Sequence, residues 1–193
     1  METFIHKTAE AQKGASIGNG VRVWQNSQIL SGASIGDNSV IGHNCFISSK
    51  AKLGKGVKLE SNIDVWDLVT LEDYVFVGPS AVFTNDINPR AKYPKSLFPQ
   101  YGNWKKTLVK EGATIGANAT IICGITIGKW AMIGAGAVVL KDVGDYEIAV
   151  GVPAARIGWA CECGNKLNIE NEKAECKICS RKYLLKNNVL ESK

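Results

Sequence analysis

A six-residue hydrophobic period runs through most of the chain. From Ile5, every sixth position as far as Phe83 is apolar, and the period returns in a shifted phase from Val109 to Val139. Eighteen of these 20 positions, which we call the lead positions, are Ile, Leu or Val. A period of six fits neither the 3.6-residue repeat of an α-helix nor the long alternation of an ordinary strand. It fits short strands joined by tight corners, each strand with one large inward side chain.

Hexapeptide arrays of this kind predict an all-β solenoid of parallel strands. Three hexads per coil give six to seven coils, each covering the apolar face of its neighbour. A β-sandwich, the alternative, does not hold one phase across 79 residues. The period leaves the handedness open. Gly directly follows eight leads, and we expect it there for sharp turns with positive φ; these residues are Gly18, Gly36, Gly42, Gly54, Gly78, Gly116, Gly128 and Gly134.

Composition limits the classes of protein that fit this chain. The first ten residues have no apolar signal-peptide core, and no run approaches the roughly 18 apolar residues of a membrane span. We therefore expect a cytoplasmic protein without a membrane span. Two of the six cysteines, Cys45 and Cys123, lie inside the repeat, which does not suggest a disulfide framework. The net charge of +5 is modest.

The break in the period, residues 84–108, predicts a long loop excursion from the scaffold. It holds three of the five prolines and has five basic residues against one acid. Long loops on rigid scaffolds usually carry function, and we expect a cap over a phosphate-bearing ligand, with Arg90 making a forked contact. A solvated basic loop is the alternative. Nucleic acid is not an expected partner, because the chain has no extended basic face or nucleic-acid-binding motif. Four aromatic residues favour an ordered loop: Tyr93, Phe98, Tyr101 and Trp104.

The period also predicts what stacks on the base of the excursion. Asp67 lies three hexads before Asn85. Once the 20-residue offset of the excursion is subtracted, Cys123 and then Lys141 lie above Asn85. This column of polar and small residues is typical of a binding edge.

Several segments resemble the left-handed β-helix N-acetyltransferases that acylate amino groups of nucleotide sugars. The resemblance spans about residues 3–168. Asn88-Pro89-Arg90 and Arg156-Ile157-Gly158-Trp159 look most like UDP-2-acetamido-3-amino-2,3-dideoxyglucuronate 3-N-acetyltransferases. The segments that carry the broader resemblance are residues 56–62, 75–80, 83–85, 111–118 and 151–154.

The resemblance implies a left-handed helix, a homotrimer, acetyl-CoA as donor and active sites between neighbouring subunits. By position, Asn85 matches the asparagine that contacts the sugar near its reacting amine, and Arg90 matches the loop arginine. Asn62, Glu72 and Asp73 match polar turn positions near the sugar nucleotide. The coenzyme-binding stretches and the phosphate contacts match Ala117, Ala135, Lys141, Gly151, Val152, Pro153 and Arg156.

The predicted function is therefore acetylation of the 3-amino group of a UDP-linked amino-glucuronic acid for a surface polysaccharide such as lipopolysaccharide. Two alternatives stay open. One is an N-acetyltransferase for a 3- or 4-amino-deoxy sugar on UDP or dTDP. The other is a non-catalytic β-solenoid binding protein, which the basic loop disfavours.

The scarcity of histidine constrains the predicted mechanism. His6 and His43 are the only histidines, so His43 could act only across a subunit boundary. An amine near its own pKa is already nucleophilic, and alignment with the thioester can supply most of the rate. We therefore predict that Asn85 orients the amine. Asp86 is a candidate base or ammonium anchor, although an Asp at this position is as often a turn cap.

Four cysteines follow the last repeat. Cys161 and Cys163 form a C-x-C pair, and Cys176 and Cys179 form a C-x2-C pair. The second spacing is that of a zinc knuckle, while the first is one residue short. A structural zinc site is thus predicted, with four reduced thiols as the alternative. The chain divides into an acetyltransferase domain, residues 1–158, and a C-terminal appendix, residues 159–193.

Overall fold

The computed structural model describes residues 2–92 and 104–193, and these two stretches contain strands but no helix. Consequently, no helix in them could cross a membrane. Parallel strands of mostly two residues stack in three faces, with one strand of each face in every coil. The predicted hexapeptide β-solenoid is confirmed, and the stack is consistent with a left-handed β-helix.

The first face has eight parallel strands and then continues into two antiparallel ones. In stacking order they are β1 (Phe4–Ile5), β4 (Arg22–Val23), β7 (Val40–Ile41), β10 (Lys58–Leu59), β13 (Phe76–Val77), β16 (Thr114–Ile115), β19 (Met132–Ile133), β21 (Glu147–Val150), β22 (Ala155–Ala160) and β23 (Lys166–Leu167).

The second and third faces complete each coil. The second face contains β2 (Glu10–Ala11), β5 (Gln28–Ile29), β8 (Phe46–Ile47), β11 (Asp64–Val65), β14 (Val82–Phe83), β17 (Thr120–Ile121) and β20 (Val138–Val139). The third face contains β3 (Ser16–Ile17), β6 (Ser34–Ile35), β9 (Lys52–Leu53), β12 (Val69–Leu71), β15 (Thr107–Val109) and β18 (Thr126–Ile127). We call the corner after the first face the first corner, and the corners after the second and third faces the second and third corners.

The lead side chains fill the interior of the solenoid. From Val23 to Val139 every lead is buried, and the small residues between them pack into the same core. Ile5, by contrast, is 41% exposed, because no coil within the described residues covers the first one. Burial of successive apolar layers is what stabilises the stack.

The excursion interrupts the chain without disturbing the stack. Phe83 pairs with Ile121 and Leu71 pairs with Val109, so the register steps by 38 residues where the uninterrupted coils step by 18. The predicted 20-residue offset is therefore confirmed. Strand β15 begins at Thr107, so its first two residues belong to the predicted excursion, which ends at residue 108. The predicted aromatic contacts of Tyr93, Phe98 and Tyr101 lie outside the described residues.

The last coil is shorter than the others and leads into the appendix. Ile133 pairs with Ala149, a step of 16 residues, and β21 then turns back as the antiparallel strand β22. Because β22 spans Ala155–Ala160, the predicted division at residue 158 falls inside this strand. A separate three-stranded antiparallel sheet completes the appendix: β24 (Lys173–Glu175), β25 (Lys182–Lys186) and β26 (Val189–Ser192).

The glycines that follow the leads serve a purpose that we did not expect. None of the eight has a positive φ, so the predicted sharp turn at these positions is wrong. A Cβ on Gly116 would lie 2.5 Å from Ala135 N, and one on Gly78 would lie 2.6 Å from Ala117 N. Gly is required here because the backbone of the next coil passes where a side chain would start. Left-handed residues lie two positions later, as at Ser80 after Gly78 and at Asn118 after Gly116.

Candidate functional site

The two ends of the excursion meet at the second corner, and Asn85 lies where they meet. The Lys105 N–H donates to Asn85 O (3.1 Å), and the Cys123 N–H of the next coil donates to Thr84 Oγ1 (2.9 Å). The half-buried side-chain amide of Asn85 has no hydrogen-bond partner within the described part of the chain. A rigid backbone thus holds an amide that is available to a ligand.

We call the place where the two ends of the excursion meet the loop root. Asp86 and Arg90 follow it in the excursion. Asp86 Oδ1 accepts a hydrogen bond from the Asn88 N–H (2.9 Å), which is the turn cap considered as its alternative role. Arg90 is exposed, and its guanidinium donates to the adjacent Pro89 carbonyl (2.7 Å). Arg90 is thus held by its own loop in a position open to solvent.

The predicted column on the second corner is present in the register. Phe83 pairs with Ile121, so Asn85 and Cys123 occupy equivalent positions in successive coils. Ile121 pairs with Val139, and Lys141 follows two residues later at the same corner, which is two residues shorter in this coil because Val143 pairs with Ile127. Cys123 is buried between the two polar residues. The column therefore connects the loop root with the C-terminal end of the β-helix.

Lys141 and Arg156 line one cleft of about 400 Å³ at that end. Arg156 donates to Glu147 Oε1 (2.8 Å) and to Asn188 Oδ1 (2.8 Å), and it stacks on the Trp159 ring with 4.7 Å to the centroid. Two residues expected to contact phosphate are thus brought together. Sequence reasoning missed Asn188, because it lies in the appendix, 32 residues from the arginine that it contacts.

The remaining coenzyme-binding candidates lie near the first corner. Ala117 and Ala135 follow β16 and β19, and the Gly136 N–H donates to Ala117 O (2.8 Å). The turn between β21 and β22 contains Gly151, Val152 and Pro153, all exposed. This turn is bound to β20, since Gly151 O accepts from the Val138 N–H (3.0 Å).

The predicted substrate residues do not come together within one chain. Asn62 lies at the first corner, whereas Glu72 and Asp73 follow β12 at the third corner. Glu72 Oε2 accepts from the Glu111 N–H (3.0 Å), and Asp73 Oδ1 accepts from the Lys55 N–H (2.9 Å). These carboxylates therefore connect neighbouring coils, as well as facing solvent at a corner.

His43 lies at the first corner, one coil below Asn62. Its Nδ1 is 2.7 Å from Ser61 Oγ, and the exposed side chain is separated from Asn85 by the second face. Within a single chain, His43 therefore does not approach the loop root.

The four appendix cysteines form a compact cluster. All four Sγ atoms lie within 4.8 Å of one another; Cys161 and Cys179 are 3.4 Å apart, and Cys163 and Cys176 are 3.5 Å apart. Burial raises the pKa of Cys161 to about 12. Backbone hydrogen bonds from Cys179 and Ile178 lower the pKa of Cys176 to about 6. The four sulfur atoms are thus close enough together to bind one metal ion.

Comparison with known proteins supports the repeat assignment. Residues 14–49 and 106–141 match a family model described as bacterial transferase hexapeptide (six repeats). A dTDP-3-amino-3,6-dideoxy-alpha-D-galactopyranose 3-N-acetyltransferase of Aneurinibacillus thermoaerophilus is 46% identical over 78 residues, 40% of either chain. A serine acetyltransferase of Escherichia coli K12 is 37% identical over 84 residues, 44% of this chain and 31% of the relative.

Among solved structures, PerB from Caulobacter crescentus in complex with CoA and GDP-perosamine is similar at 25% identity and a TM-score of 0.45. That match covers 82% of this chain and 58% of the other. The chain spans less than half of the length of the curated relatives named above. The two segments that match this family model lie on either side of the excursion, in lower and upper coils of the same solenoid.

Proposed function

We propose that this protein transfers the acetyl group of acetyl-CoA to an amino group of a nucleotide-linked sugar. The observation on which the proposal rests is the side-chain amide of Asn85 at the loop root, which has no hydrogen-bond partner among the described residues and is therefore available to a ligand. Cys123 and Lys141 follow it at the same corner in the next two coils. The hexapeptide β-helix and the 46% identical sugar N-acetyltransferase support the same chemistry.

Two sugars are candidates for the acceptor. The segments Asn88-Pro89-Arg90 and Arg156–Trp159 favour a UDP-linked 3-amino-glucuronic acid, with product destined for a surface polysaccharide. The relative that acts on a dTDP-linked 3-amino-3,6-dideoxy sugar favours a dTDP- or UDP-linked amino-deoxy sugar instead. Both acceptors present an amine, so the reaction is the same for either.

In the proposed reaction, the substrate amine attacks the thioester carbonyl directly. The N–C bond forms first and gives a tetrahedral intermediate, whose collapse breaks the C–S bond, and the departing thiolate takes the proton released by the amine. Asn85 orients the amine, and backbone N–H groups hold the developing oxyanion. The second carboxylate oxygen of Asp86 is the candidate anchor for the ammonium form, because Oδ1 is occupied by Asn88.

The positions of the candidate residues support the proposed homotrimer. Asn85 and Lys141 lie at the second corner, whereas Asn62 and Glu72 lie at the first and third corners. Corners of one β-helix are separated by its core, so they can share a ligand only across a boundary between subunits. The second face also presents apolar side chains outward, as expected of a contact surface: Phe46, Val82, Val138 and the adjacent Leu140, of which Val82 is 48% exposed and Leu140 is 54% exposed.

Light scattering of the purified protein is expected to give a mass about three times that of the 20.8 kDa chain. A closed ring repeats the same inter-subunit site three times. Val82→Glu places a charge on the second face and should shift the mass towards the monomer with loss of activity. The Ser34→Glu change, at an exposed position of the third face, is the matched control and should leave the trimer intact. An active monomer would contradict this assembly.

The acceptor can be assigned by following thiol release from acetyl-CoA with a panel of sugar nucleotides. UDP- and dTDP-linked 3-amino sugars, with and without a C6 carboxylate, should be compared with the matching hydroxyl sugars and with serine. Turnover with one amino sugar only is the expected result, together with the mass increase of one acetyl group in the product. Preference for a hydroxyl acceptor or for serine would refute the proposal.

A further inference from the structure

The appendix holds together with little hydrophobic core of its own. Its buried cluster consists of a few residues, among them Trp159, Leu167, Tyr183 and Leu190. Two of the cluster members are themselves cysteines, Cys161 and Cys176. Small domains with so little apolar burial usually need a disulfide or a metal ion to stay folded.

Each cysteine pair lies in a tight turn of the same design. The Gly164 N–H donates to Cys161 O (2.8 Å), and the Ser180 N–H donates to Cys176 O (2.9 Å). The residue after the second cysteine of each pair is left-handed, Gly164 at φ +85° and Ser180 at φ +59°. The C-x-C pair thus forms the same kind of turn as the C-x2-C pair, although it is one residue shorter.

We propose that Cys161, Cys163, Cys176 and Cys179 bind one zinc ion. In a tetrahedral site with Zn–S bonds of about 2.3 Å, the sulfur atoms are about 3.8 Å apart. The Sγ atoms here are separated by 3.4 Å and 3.5 Å in the two closest pairs, and by at most 4.8 Å. Binding therefore needs sulfur movements of less than about 1 Å within this ligand set.

The position of the site explains what the metal would do. Cys161 follows β22, which belongs to the first face, whereas Cys176 and Cys179 lie between β24 and β25 of the separate sheet. One ion bound to all four sulfurs joins this sheet to the end of the β-helix. The β25–β26 turn contributes Asn188 to the cleft at Arg156, so the metal also fixes one wall of that cleft.

Metal analysis of protein purified without chelator tests the proposal directly. We expect about one zinc per chain, and loss of most of it in the single variants Cys163→Ser and Cys176→Ser. Cys45→Ser and Cys123→Ser change the cysteines of the β-helix and should keep the zinc. Limited proteolysis after zinc removal should cleave the appendix first, because the β-helix core does not depend on the metal.

A second measurement does not depend on the folding of any variant. Cobalt exchanged into the wild-type protein should give the charge-transfer and visible absorption of a tetrahedral thiolate site. Three results would overturn the proposal: four freely titrating thiols without metal, disulfides linking the four cysteines in freshly purified protein, or iron in place of zinc. Free thiols without metal would mean that the four cysteines are structural thiols. Disulfides would indicate a redox role for the cysteines.

Discussion

Replacing Asn85 by alanine is expected to lower kcat/KM for the amino sugar by roughly 100-fold or more, about 2.7 kcal/mol of transition-state stabilisation. The physical reason is alignment. The amide is the polar group that the rigid root of the excursion holds without a partner among the described residues, and it is therefore available to orient the amine. Steady-state kinetics with saturating acetyl-CoA measures the effect, and the wild-type mass in light scattering shows that the assembly is intact.

His43→Ala is the matched control for this result. Direct attack by the amine needs no protein base, so loss of His43, which is exposed and contacts Ser61, should cost less than about tenfold in kcat/KM. The pH dependence of kcat/KM should rise with the ionisation of the substrate amine and stay unchanged in the His43 variant. If His43→Ala abolishes turnover while Asn85→Ala is mild, the base comes from a neighbouring subunit and direct attack is wrong.

Replacing Gly116 by alanine is expected to destabilise the β-helix by about 3 kcal/mol, the upper end of the usual range for overpacking. Its Cβ would lie 2.5 Å from Ala135 N and 2.7 Å from Ile133 O, both backbone atoms of the next coil. Backbone within a hydrogen-bonded stack cannot move aside as a flexible side chain can. The urea midpoint and the unfolding free energy, measured at fixed protein concentration, report the loss.

Gly144→Ala provides the comparison. The nearest atoms to the same methyl group there would belong to the side chain of Glu147, at 3.1 Å, rather than to backbone, and Gly144 also lacks a positive φ. We expect a change of less than about 0.5 kcal/mol. Equal destabilisation by the two substitutions would mean that close stacking of coils is not the reason for glycine after the leads.

The sequence by itself determined the parts of this protein that repeat. Each inward side chain must meet the one a coil above, so the spacing of the leads specifies the strands, the 18-residue step and the 20-residue offset of the excursion. The column of Asn85, Cys123 and Lys141 could be counted in the same way. Counting residues along the repeat does not show why a given position is occupied by a small residue. For this reason the role of glycine after the leads was expected to be a turn and is instead the close approach of backbone.

Only the tertiary structure decided the features that depend on contacts without a period. The last coil is two residues short, and the shortening lies between Val139 and Val143, since Val139 pairs with Ile121 and Val143 pairs with Ile127. Asn188 reaches Arg156 across 32 residues of appendix, and the two cysteine pairs meet although one has an irregular spacing. Such contacts are set by the packing of non-repeating segments, for which distance along the chain carries no information about distance in space.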